Sequence, residues 1–159
     1  MNENENMFPQ VREIKPATYP DHYIQSAEWF QFQYPLLKRY FTKVLEGFSV
    51  CDFFQGAEVS NVAVYALTEF AELAIKDIDR SCVSAQIGCI SDRNYDRFQE
   101  GFLGHAVSSP EAMLEQYRNG TIDKIIVCSI FHANEIMSDL MKMGFQLKDL
   151  ITISDIILQ

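Results

Sequence analysis

The residues whose types and spacing could do chemistry fall in two short clusters. One is Ala66, Leu67, Thr68 and Glu69 together with Asp92 and Arg93; the other is Ser129, His132, Asn134 and Glu135. Ala66 to Glu69 lie between an apolar run and an amphipathic one, where a strand hands over to a helix and backbone amides can receive a phosphate. In a dinucleotide loop, three glycines make the turn, let the backbone approach the pyrophosphate and let the helix pack closely. The corresponding positions here hold Ala66, Thr68 and Ala71, and none is glycine. Alanine is an accepted variant at the third position, but Ala66 and Thr68 put β-carbons where the ligand approaches. Thr68 is expected to cap the following helix and leave an anion site at its amino end. A ligand with one phosphate, or a weak nucleotide site, fits this loop better than tight dinucleotide binding, and a vestigial site fits equally well. Asp92 stands 21 residues after Ala71, close to where an acid accepts hydrogen bonds from ribose hydroxyls. An Asp-Arg-Asn sequence also starts turns. Arg93 either faces a phosphate or is solvated.

In the second cluster, His132 and Glu135 have the types for an acid–base pair. The same residues are what capping and the helix dipole select, with Ser129 before the helix and Glu135 in its first turn. Acid–base catalysis needs a convergent site, and nothing else in the chain supplies one, so no catalytic residue is assigned and the reading leans against an enzyme. No Walker loop, nucleophile elbow or zinc-binding His pair is present, nor a Tyr-x-x-x-Lys pair on a predicted helix. His22 and His105 lack partners at metal-ligand spacing, so no metal is assigned. Cys51, Cys82, Cys89 and Cys128 form no C-x-x-C pair and read as structural, with Cys89 and Cys128 inside buried strands.

The elements that position these clusters follow from hydrophobic periodicity. Residues 61–66 read as a strand, 67–78 as a helix and 84–92 as a second strand, the opening of a nucleotide-binding α/β unit. Residues 93–104 read as a polar loop or a single helical turn, and 105–108 as a short third strand. Ser109-Pro110-Glu111 opens a helix that runs to about Arg118. Residues 123–129 are apolar enough for a central parallel strand, 133–143 form its helix, and 150–153 are a last strand before a closing turn. Five strands alternating with helices give a parallel sheet, and the expected order is 3-2-1-4-5. Its crevice opens outside the carboxyl ends of the first and fourth strands, where both clusters fall.

Residues 1–20 are expected to be an amino-terminal arm and 21–50 a helical segment, leaving 51–159 as the nucleotide-binding domain, with 51–60 as its linker. Phe30, Tyr34, Leu37, Phe41, Val44 and Phe48 recur three or four apart and are expected to make one buried face. Pro35 predicts a kink or two pieces meeting near Tyr34, and Gly47 a stop. The abundance of aromatics fits a core flap, with a homodimer contact or a dock for another domain as the alternative.

Composition narrows the partners. The chain has 159 residues, of which 48% are hydrophobic, enough for one domain with a real core. A net charge of −9 without any Lys/Arg cluster argues against nucleic acid and against an anionic membrane surface. No apolar run approaches the roughly 18 residues of a membrane span, and the first residues are polar and acidic, so the expected location is cytoplasmic.

Five passages carry a resemblance: residues 65–73, Ile90-Ser91-Asp92-Arg93, residues 102–111, residues 125–129 and residues 150–158, together with the Trp29-containing helix. Across roughly residues 27 to 158 the chain resembles small bacterial Rossmann-like NAD(P)-binding domains. These are similar to the nucleotide-binding part of nucleotide-sugar dehydratases and epimerases of surface-polysaccharide biosynthesis. The resemblance implies a module that binds a nucleotide or nucleotide sugar, with NAD(P) or another nucleotide as ligand and a sugar-modifying enzyme as partner. An NAD(P)-dependent oxidoreductase or epimerase completed by a second subunit is the alternative; a degenerate domain acting only through protein contacts is a further one. The binding positions implied are Ala66, Leu67, Thr68, Glu69, Asp92, Arg93, Ser129 and His132. Family enzymes carry sugar-binding residues beyond this sheet, whereas the sequence ends at Gln159, which favours the module.

Overall fold

The structure is a computed structural model, and it describes residues 27–159 apart from Val83. The arm at 1–20 and the start of the helical segment at 21–26 lie outside the described residues. Five helices and five strands follow in the order α1 (Ala27–Leu45), β1 (Asn61–Tyr65), α2 (Glu69–Ser81), β2 (Gln86–Ser91), β3 (Val107–Ser108), α3 (Pro110–Arg118), β4 (Lys124–Val127), α4 (Ala133–Met143), β5 (Leu150–Thr152) and α5 (Ile153–Leu158). The strands form one sheet in the order β3-β2-β1-β4-β5, and every pairing is parallel. This is the Rossmann-like α/β architecture expected from the alternation of apolar runs and amphipathic segments.

Both faces of the sheet are covered, which is why its strands are nearly continuously apolar. Along β1, Val62 and Val64 point into one cluster with Phe70, Ala74 and Ile75 of α2 and Ile153, Ile156 and Ile157 of α5. Ala63 and Tyr65 point into the other, with Met113 and Leu114 of α3 and Leu140 of α4. In register, Tyr65 stands beside Ser91 of β2 and Val127 of β4, so the carboxyl ends of the three central strands are level.

α1 lies on the α2/α5 side as one helix that continues through Pro35. Its inner stripe is the expected one only in part: Leu37, Val44 and, beyond the helix end, Phe48 do pack against the core. Gln33 and Tyr40 are buried and Leu36, Leu37 and Val44 pack against the core, whereas Phe30, Tyr34 and Phe41 are exposed. The helix is rotated so that its more polar Gln33–Tyr40 side meets the core, and Arg39 donates to the carbonyls of Ile157 (3.2 Å) and Leu158 (3.1 Å) at the end of α5. Gly47 ends the helix as expected, with φ 93° and with the Phe48 amide returning to the Lys43 carbonyl.

The expected linker also contains structure. A 3-10 turn, Val50–Phe54, is closed by a capping box between Ser49 and Asp52. The buried Asp77 of α2 accepts from the Val50 amide (2.6 Å) and from the Ser49 hydroxyl (3.0 Å). Beside this contact Cys51 and Cys82 form a disulfide with Cα atoms 5.8 Å apart. The sequence reading of these two cysteines as structural named no pairing, and the disulfide supplies one; Cys89 and Cys128 remain free and buried, as expected.

Candidate functional site

At the end of β1 the chain leaves Tyr65 and turns at Ala66, whose φ is 68°. This is the left-handed conformation for which glycine is the usual residue. The turn is closed by the Thr68 amide donating to the Ala66 carbonyl (3.0 Å), and the Ala66 amide donates to Ser91 O on β2 (3.2 Å). Alanine therefore performs the first glycine's backbone task, but with a β-carbon present.

Asp92, directly after β2, holds the loop. Its Oδ2 accepts from the Leu67 amide at 2.8 Å and its Oδ1 from the Asn94 amide at 2.7 Å. The second contact is the side-chain turn that Asp-Arg-Asn predicts. The first spans two strand ends and places a carboxylate against a loop amide.

Thr68 departs from expectation. It occupies the cap position of α2 but makes no side-chain capping bond. Its hydroxyl instead donates to the Cys128 carbonyl at 2.6 Å, and the Cys128 amide donates to Tyr65 O at 2.9 Å. Thr68 thus ties the β1 loop to the end of β4, and the first turn of α2 opens at the switch point without a side-chain cap.

On the β4 side, the Ser129 hydroxyl accepts from the His132 amide at 3.2 Å, the local turn its spacing predicts. His132 Nδ1 and Glu135 Oε2 are 3.5 Å apart, with both side chains 71% exposed. A pair so open to water lacks the enclosed setting of an acid–base site. The structure therefore gathers Ala66, Leu67, Thr68 and Asp92 into one hydrogen-bonded assembly, with Ser129 next in the chain to the carbonyl that Thr68 holds. Glu69 is half-buried in the first turn of α2, while Arg93 and His132 stand exposed at the rim.

Two residues at this end were assigned no role from the sequence. Tyr65 is buried, and burial pushes its hydroxyl's pKa up, as do Asp92, Glu111 and Asp139, with Arg93 opposing. Its phenol stays neutral at ordinary pH. Ser91 is fully buried, and its hydroxyl has no hydrogen-bond partner among the described residues. Each sits at a strand end, where an apolar run reads as core and hides a polar tip. Among the described residues no group of three metal-ligating side chains comes together.

The fold and this strand-end assembly define an α/β domain of Rossmann-like architecture. Comparison with protein-family models, curated proteins and solved structures finds no match.

Proposed function

We propose that this chain is a Rossmann-like module that binds a nucleotide or nucleotide sugar without catalysing a reaction itself, working beside a sugar-modifying enzyme of bacterial cell-surface polysaccharide assembly. The observation that carries the reading is the uncapped first turn of α2, which opens at the carboxyl ends of the paired strands β1 and β4, whose following helices lie on opposite faces of the sheet. An acceptor such as a phosphate oxygen is what unsatisfied amides at that place bind. The polysaccharide setting rests on the resemblance alone, and NAD(P) remains a candidate ligand.

A second reading, a domain that acts only through protein contacts, is favoured by Asp92, whose carboxylate already occupies the Leu67 amide. Thermal shift separates the two. The purified chain is screened against NAD, NADP, AMP and UDP-, GDP- and TDP-sugars, since a ligand bound only to the folded state raises the melting temperature by mass action. The module reading expects a saturable rise with at least one of these; no rise with any at millimolar concentration leaves the protein-contact reading.

Cytoplasmic residence is part of the proposal. The Cys51–Cys82 disulfide is the observation against it, because such bonds are rare in reducing compartments. Alkylation of free thiols in fresh cell extract, before any oxidation, decides: four reactive thiols on unfolding support the cytoplasm, and two oppose it.

A further inference from the structure

α1 keeps an apolar flank exposed beside the face that meets the core. Tyr34, Phe41 and Leu45 are 54, 52 and 86% exposed and belong to neither core cluster. Phe30, stacked on Tyr34 with ring centroids 6.2 Å apart, is 58% exposed. At 3.6 residues per turn the four fall within about 60° of one another around the helix. Together they expose about 450 Å² of mostly apolar surface, the size of the largest patch on a typical monomer and over half of the roughly 800 Å² that each partner gives a stable interface.

Two features of the same helix select a second copy of the chain as the occupant. The first is charge. The chain has a net charge of −9, yet from Trp29 to Leu45 it holds no carboxylate and three cations, Lys38, Arg39 and Lys43. Two copies of an acidic protein repel wherever carboxylates face each other, so this helix is where they approach at least electrostatic cost. The second is spacing. Tyr34 and Phe41 lie equally far on either side of the point between Leu37 and Lys38, and so do Phe30 and Leu45. A two-fold axis through that point sets Tyr34 against the partner's Phe41 in an antiparallel helix pair, the self-complementarity that an isologous dimer requires. Lys38 then stands at the rim beside the partner's Lys38. Its stem covers the rings while its ammonium stays in water, where salt screens the repulsion.

We propose that two copies of this chain pair antiparallel through the Tyr34–Phe41–Leu45 flank of α1, about a two-fold axis between Leu37 and Lys38. The pairing does not depend on the crevice binding a nucleotide.

Sedimentation velocity of the full chain, from low to high micromolar concentration, tests it. The mass should rise from one chain to two. Phe41→Glu, and Tyr34→Glu as a second variant, should hold it at one chain throughout while melting, in dilute solution, where the wild type does. Phe32→Glu is the control: Phe32 is 63% exposed but lies about 170° around the helix from the flank, so its variant should still dimerise. The position of the axis is read by mixing wild type with a mass-tagged Lys38→Glu chain in native mass spectrometry. Only the mixed pair sets Lys38 beside a carboxylate, so it should exceed the statistical half of all dimers. A single-chain mass for the wild type at every concentration would overturn the proposal. So would a dimer that persists in both flank variants, which would place the interface elsewhere, or statistical mixing, which would move the axis away from Lys38.

Discussion

Ala66 takes a left-handed backbone at φ 68° because the chain must reverse between β1 and α2 within three residues. The conformation costs an alanine about 1–2 kcal/mol, whereas glycine adopts it freely but gives back about 0.5–1 kcal/mol through its looser unfolded chain. Ala66→Gly is therefore expected to be neutral or to stabilise by up to about 1 kcal/mol, read from the urea midpoint; a loss would mean that the β-carbon's packing in the α3/α4-side core outweighs the strain. Asp92→Ala acts the other way. It leaves the Leu67 and Asn94 amides without their acceptor and should cost about 1–3 kcal/mol with no ligand present. A mutant that lost nucleotide affinity while keeping full stability would contradict the structural role. The turn-forming half of Asp92's work was legible, because an Asx turn needs only the residues next to it. Its hold on Leu67 was not, since that bond joins two strands whose register no local pattern records.

At the scale of elements, the sheet order was legible because each crossover has an apolar strand, an amphipathic helix and a fixed hand, which leave few ways to assemble five strands. The inner face of α1 was legible only in its Leu37, Val44 and Phe48 positions. Both of its flanks are aromatic, so periodicity alone could not say which one meets α5, and the choice is made by Arg39 reaching the carbonyls of Ile157 and Leu158. The 3-10 turn at Val50–Phe54 was hidden by its length, and its disulfide by the sequence separation of 31 between Cys51 and Cys82. That separation sets the size of the effect. A loop of this length restrains the unfolded chain by about 3–4 kcal/mol in the chain-entropy account. Cys51→Ser with Cys82→Ser is expected to lower stability by up to that amount. The fold should survive, because Asp77 still holds Val50 and Ser49 and the turn keeps its own capping box. Chemical denaturation with and without dithiothreitol checks it: the reductant should destabilise the wild type and leave the double mutant unchanged.

The molecule as a whole is tied at both ends of its sheet by carboxylates. Asp92 closes the carboxyl end, and at the amino end Asp123 accepts from the Ser60 and Asn61 amides, both at 2.8 Å. Asp149 joins α3, β4 and the turn into β5, accepting from Tyr117 Oη and Lys124 Nζ, each at 2.7 Å. Burial alone would raise the Asp149 pKa, but the hydrogen bonds and charge of Lys124, helped by Tyr117, bring it below its ordinary 3.8. A carboxyl group held lower in the folded state than in the unfolded one contributes its stabilisation fully above the unfolded value and loses it as pH falls through the folded one. The gap in melting temperature between the wild type and Asp149→Asn should accordingly hold steady from pH 7 to about 5 and narrow below about 4. Tyr117→Phe removes one donor without touching the ion pair, so its own gap should be smaller and should narrow over the same range. A gap for Asp149→Asn that stayed constant down to pH 2 would show that the carboxylate's charge adds nothing, and that the mutant loses only what the changed hydrogen-bond geometry at the amino end of the sheet costs.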